Sequence, residues 1–230
     1  MSPTLKRRRG ATQATVIRTA TVEDLSAVVN LHMSAFPGYF LTALGSAFLR
    51  SYYKAVLDYP QGILLVAERG AGPVGFVAGS CWPAGFYQLL RMRRFSLAMG
   101  VGFQIIRRPR LLIDLGQRYR TTHQRAEAPQ YAASSELASL ACDPAMRGTG
   151  LGRSLIVEFL ARSKALGADH CDLTTNRDEN EGVRGLYGGL GFVELGVDTE
   201  EQGRPVVLYR YYFDNAAEQG ALPDLENAHA

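Results

Sequence analysis

The residues best equipped by type and spacing to do chemistry are Arg147, Gly148, Thr149, Gly150, Leu151, Gly152 and Arg153. Glycines at alternate positions allow a tight turn in which successive amide N–H groups converge on an anion. A helical run follows at once, and the first turn of a helix adds open donors and the positive end of a dipole. Arg147 and Arg153 bracket the turn with positive charge. The chemistry indicated is phosphate binding, but of neither of the two commonest kinds. A nucleoside triphosphate loop needs a Lys followed by Ser or Thr, and a dinucleotide fingerprint needs a glycine where Arg153 stands. A flexible strand-to-helix connection is the plain alternative.

The elements that must position this turn are legible on both sides of it. Ser134 to Cys142 reads as a buried strand of small and apolar residues, ended by Asp143-Pro144, while Leu155, Ile156, Phe159 and Leu160 form one face of a helix. A second strand, His170 to Thr175, leads to Asn180, Tyr187 and the pair Gly191-Phe192. On these residues the chain resembles the GNAT superfamily of acyl-coenzyme A-dependent N-acetyltransferases. One family signature, Arg or Gln, two residues, Gly, one residue, Gly or Ala, is filled by Arg147, Gly150 and Gly152. A second, an Asn followed by a Tyr and then Gly-Phe, is met by Asn180, Tyr187, Gly191 and Phe192. The chain departs from the family in the helix before Tyr187, which carries Gly182, Gly185, Gly188 and Gly189. An interior Gly costs a helix about 1 kcal/mol relative to Ala, so that helix should be short and held by packing.

The resemblance covers residues 15–213 and implies an α/β (α+β) fold: a mixed, mostly antiparallel central sheet flanked by helices. Periodicity gives the order β-α-α-β-β-insert-β-α-β-α-β-β, with a strand at 15–19, helices at 21–35 and 42–57, and a hairpin of strands 63–68 and 74–79 joined through 69–73. Beyond the insert come the strand at 135–142, the helix after the glycine turn, a strand at 170–175, a short helix at 181–190, and strands near 192–197 and 205–213.

Acetyl transfer to an amine needs a coenzyme seat, a route for the amine proton, a donor for the oxyanion and a means of protonating the departing thiolate. The resemblance assigns the seat to the amides from Gly148 to Arg153, with acetyl-CoA as co-substrate and its pantetheine arm along Leu140, Ala141 and Cys142. Asn180 matches the family position that reaches this arm, and would also serve as a helix N-cap. Glu136, eleven residues before Arg147, stands where several family members carry a general-base Glu; an edge-of-strand surface Glu is the alternative. Tyr187 matches the family Tyr beside the thioester sulfur, against a Tyr merely packed under the sheet. The backbone amide of Leu140 is the implied oxyanion donor, at a strand bulge. A nucleophilic Cys142 with His32 or His170 as base is the rival chemistry. The acceptor side implied by the family comprises His32, Phe36, Tyr39, Phe40 and part of the insert, and the segment resembles a subgroup associated with surface-polysaccharide and sugar modification. That points to an amino-sugar nucleotide or another anionic amine as acceptor. Acetylation of a peptide, aminoglycoside or small amine is the first alternative, and a noncatalytic acyl-CoA-binding interaction module the second.

The whole chain is compatible with this. At 230 residues and 47% hydrophobic content it can bury one full core. Three cysteines cannot all pair, which suits a reduced, cytoplasmic protein, and four scattered histidines show no metal-ligand spacing. The net charge of +3 is unevenly spread. Residues 1–14 form a basic arm containing Lys6-Arg7-Arg8-Arg9, read as disordered and solvated, so no nucleic acid is expected as a partner; 214–230 form an acidic, disordered tail. The first 22 residues contain no acid but also no apolar signal stretch, so targeting is not expected. The insert at 83–131 is rich in Arg, and its longest uncharged run, Phe95 to Ile106, is too short to span a bilayer. Three readings fit the insert: a helical lid over the acceptor, a partner or dimer surface, and an amphipathic face on acidic lipid. The oligomeric state is left open between monomer and homodimer.

Overall fold

The buried strand before the glycine turn becomes the centre of the sheet. A computed structural model describes residues 14–70, 72–93, 133–178, 181–199 and 205–213. Its strands are β1 (Val16–Thr19), β2 (Gly62–Arg69), β3 (Gly72–Cys81), β4 (Ser134–Cys142), β5 (His170–Asn176), β6 (Val193–Thr199) and β7 (Pro205–Tyr212). They form a seven-stranded sheet in the order β1-β2-β3-β4-β5-β7-β6, antiparallel throughout except where β4 meets β5. The register Arg69↔Gly72 closes the β2–β3 hairpin in two residues, tighter than the connection expected over 69–73.

The helices are α1 (Leu25–Ala35), α2 (Phe40–Ala43), α3 (Ser46–Asp58), α4 (Pro83–Met92), α5 (Leu151–Ala165) and α6 (Glu181–Gly188). The single helix expected over 42–57 is two. Gly45, at φ 90°, takes a conformation costly for any residue with a Cβ, closing α2 through its N–H to Thr42 O and opening α3 by accepting from Leu49 N. A 3-10 turn, Val22–Asp24, begins the first helical stretch, where Asp24 accepts from the Thr21 amide at 2.8 Å.

Two apolar layers hold the sheet. On one side, Leu25, Val28, Leu49, Tyr53 and Val56 of α1 and α3 pack on Leu64, Val66, Phe76 and Ala141. On the other, Leu155, Ile156 and Phe159 of α5 and Tyr187 of α6 pack on Leu65, Val77, Leu137, Cys171 and Leu173. Strands buried on both faces account for the near-continuous apolar runs of β2 and β3. Each fully buried Leu, Ile, Val or Phe contributes roughly 1.5–3 kcal/mol, so these layers carry the fold.

Of the insert, α4 and Arg93 are described. Trp82 enters α4 with φ 56°, a left-handed conformation uncommon for a bulky residue, anchored by its N–H to Ser134 O at 2.8 Å. The basic arm over 1–13, the arginine-rich stretch over 94–132, Asn180 and the acidic tail over 214–230 lie outside the described residues. No helix among the described residues is long and apolar enough to cross a membrane.

Candidate active site

The glycine turn is built from β4 outward. Asp143 accepts from Ala145 N at 2.8 Å and organises the 3-10 turn Pro144–Met146; Thr149 then donates its hydroxyl to Met146 O at 2.7 Å. Gly148 (φ 75°) and Gly150 (φ 80°) both adopt the left-handed conformation, alternating with ordinary residues so that their amides curl toward one side. Gly152 differs: it lies within α5, and a Cβ there would meet only Leu186 Cδ2 at 3.8 Å. Ser154 is the first residue of α5 whose N–H bonds back, to Gly150 O at 3.0 Å, which leaves the amides of the first helical turn facing out. Arg147 is exposed, whereas Arg153 donates to Gly189 O at 3.2 Å and ties α5 to the turn after α6.

Beside this turn the sheet opens. The β4–β5 ladder contains Ser134↔His170, Ser135↔Cys171 and Glu136↔Asp172, after which β5 continues with β7 and β4 with β3. The β4 edge from Leu137 to Cys142 therefore faces a gap that ends at the glycine turn. A bulge does occur in β4, but at Ala138 rather than at Leu140: Ser139 pairs with Ala78 and Leu137 with Gly79. Gly79 explains its position, because a Cβ there would sit 2.0 Å from Glu136 O. The Asp143 amide donates to Val74 O, and strand alternation counted from that bond turns the Leu140 N–H away from β3, toward the gap.

The gap separates two chemically different faces. On the α4 face a cavity of ≈ 190 Å³ is lined by Pro83, Ser134, Glu136, Asp172, Thr174 and Leu208, among others. The Tyr87 hydroxyl of α4 lies 3.1 and 3.0 Å from the two Glu136 carboxylate oxygens. Asp172 takes a bidentate fork from Arg210 at 2.7 and 2.8 Å. On the α5 face Tyr187 is 5% exposed and packs edge-on against Phe192 and tilted against Tyr209. Burial pushes its phenol up to about 12, so it stays protonated at neutral pH with an O–H to donate.

Cys142 is half-buried at the end of β4, and burial pushes its thiol up to about 11, which keeps it protonated and poorly nucleophilic. The two histidines considered as its base are engaged elsewhere: His32 Nδ1 lies 2.6 Å from Tyr53 Oη, and His170 Nε2 lies 3.8 Å from Asp172. His32 and Phe40 are buried in packing, at 3% and 5% exposure, and Phe36 stacks against His32 and Tyr39. Of the residues expected on the acceptor side, Tyr39 reaches the sheet, its hydroxyl accepting from Asn176 Nδ2 at 2.6 Å at the end of β5. Sequence reasoning missed Tyr87, Asp172, Arg210 and Asn176. Asp172 and Arg210 carried a faint signal as opposite charges on apolar strands, but their pairing needed the β5–β7 register. Among the described residues no cluster of three or more His, Cys, Asp or Glu could hold a metal ion.

Residues 127–213, which span the gap, the turn and both faces from β4 to β7, match the family described as Acetyltransferase (GNAT) domain. The mycothiol acetyltransferase of Kineococcus radiotolerans is 43% identical over 70 residues, 30% of this chain; the aligned stretch spans 22% of that relative's length. The solved structure of yncA from Salmonella typhimurium, a putative acetyltransferase with acetyl-CoA, superposes with TM-score 0.55 at 16% identity, over 92% of this chain and 99% of that one. Ard1 from Thermoplasma volcanium gives 0.56 at 14% identity over 86% and 97%, and the ribosomal-protein-S18-alanine N-acetyltransferase from Escherichia coli 0.54 at 13% over 90% and 99%. The chain thus has the fold of these solved structures, and its residues 127–213 match the family of GNAT acetyltransferase domains.

Proposed function

We propose that the protein transfers an acetyl group from acetyl-CoA to a primary amine, directly and within a ternary complex. The observation that carries this reading is the gap beside β4, ending at a turn whose amides are open and whose glycines at 148 and 150 are left-handed. The pyrophosphate would sit on the amides of that turn, and the pantetheine would lie along Leu140, Ala141 and Cys142 like an added strand. The thioester carbonyl then meets the Leu140 N–H, a donor fixed in advance for the oxyanion. The amine approaches from the α4 face, where Glu136 accepts its proton directly or through water. Attack gives a tetrahedral intermediate, and its collapse expels the thiolate toward Tyr187 on the other face. Full proton transfer from a phenol near 12 to a thiolate whose acid is near 8.5 is uphill by about 5 kcal/mol. Tyr187 therefore stabilises the thiolate by hydrogen bonding, and the proton arrives by another route.

For the acceptor, the arginines of the insert favour an amine carried on an anionic small molecule such as an amino-sugar nucleotide. Calorimetric titration with acetyl-CoA tests the seat. Gly150→Asp is expected to abolish binding, since a carboxylate in the turn repels pyrophosphate. Gly150→Asn, which carries the same backbone strain without the charge, should retain most of it. Equal loss in both variants would assign the effect to strain, and no binding to the unaltered protein would move the reading to a noncatalytic interaction module. An acceptor screen then sets amino-sugar nucleotides against aminoglycosides and peptide amines.

A further inference from the structure

We infer that Asp172 and Arg210, on the next strand and the one beyond it, are positioning residues that set the proton affinity of Glu136. This inference rests on the acetyl-transfer reading for its purpose, though not for its test. Register places the groups in one row: Ser80 of β3 pairs with Glu136 of β4, Glu136 with Asp172 of β5, and Asp172 with Arg210 of β7. Residues paired across adjacent strands share a face and stand about 5 Å apart, so Glu136 and Asp172 are neighbouring carboxylates. Both line the same cavity, together with Ser134, Thr174 and Leu208 among others.

Two carboxylates that close disfavour each other's ionised form, unless a cation compensates. Arg210 is that cation: its fork grips both oxygens of Asp172 from the side away from Glu136, half-buried and backed by the Tyr212 ring at 5.9 Å. Among the described residues, the other groups facing this row are Tyr87 from α4, at hydrogen-bond distance from both Glu136 oxygens, and His170 of β5, 3.8 Å from Asp172. The Asp172–Arg210 fork thus presents Glu136 with a neutral pair where a lone second anion would otherwise stand.

Charge logic gives opposite signs for the two single variants, which a merely structural role would not. In Arg210→Met the lone Asp172 carboxylate should move the Glu136 titration midpoint up by about one pH unit. In Asp172→Asn the lone guanidinium should move it down, by a smaller amount because Arg210 lies one strand farther off. The double variant should return it close to the starting value. The midpoint is read by carbon-13 NMR of the Glu136 side-chain carboxyl in the full chain, which requires no turnover. Midpoints that stay put, or move in the same direction in both single variants, overturn the inference. The acid limb of the kcat/KM profile for acetyl transfer is then compared: midpoints that move while the limb does not leave the inference standing and remove Glu136 as the base of the proposed reaction.

Discussion

Tyr187 and His32 are both buried rings, but only Tyr187 has a chemical part in the proposed reaction. Tyr187 packs like any core aromatic, yet its hydroxyl is the group the proposed reaction uses. Tyr187→Phe keeps the ring and its contacts, so stability should hold within about 1 kcal/mol while kcat falls about ten- to a hundredfold. Unfolding curves and steady-state rates on one preparation check both. His32 was expected near the acceptor, but burial against Tyr53 and Phe36 holds its imidazole down to about 4, against an ordinary 6.5. Between those values the unfolded chain binds a proton that the fold does not, so stability is fully present above about 6.5 and falls as pH drops toward 4. The loss attributable to this group is about 3 kcal/mol. Urea unfolding at pH 7 and pH 4.5 should show that slope in the native protein and a shallower one in His32→Gln. Some slope remains because burial also lowers His170.

At the scale of elements, the bulge in β4 decides where the site opens. One extra residue at Ala138 shifts the phase of the strand, so that Leu137 and Leu140 both turn to the α5 side while Ser139 and Ala141 turn to α1 and α3. Gly79 makes room for it, lying against both Glu136 O and the Phe159 ring. Gly79→Ala would place a methyl group 2.0 Å from that oxygen and 2.7 Å from Phe159 Cζ. We expect a cost of about 2 kcal/mol or more in denaturant unfolding, together with loss of acetyl transfer as the strand slides. The glycine-rich helix α6 is the converse case. Its propensity is poor, and it is held by Tyr187 in the core, by Leu186 packed against it, and by Arg184 bonded to Tyr209 and Glu194.

Across the whole molecule, the element order and the glycine turn were legible because both are written in local sequence. Alternation in β1, and apolar runs bounded by turn signals in β2 to β5, marked these strands to within one or two residues; the helical face of Leu155, Ile156, Phe159 and Leu160 marked α5, and Gly148 and Gly150 marked a tight turn. The break at Gly45 went unread because a lone glycine in an amphipathic run is as often tolerated as it is a terminus. Glu136, Leu140 and Tyr187 entered through family resemblance, and nothing in their own spacing declared which face of the sheet each would occupy.

The sequence by itself determined the glycine turn, the strand that feeds it and the helix that follows, since each depends on backbone preferences and periodicity within a dozen residues. Only the tertiary structure decided that β4 and β5 part after Glu136, that the bulge falls at Ala138, and that Glu136 lies in a row with Asp172 and Arg210. Those facts depend on register between strands far apart in the chain. A shift of one residue there would send every side chain to the other face of the sheet without altering any local pattern.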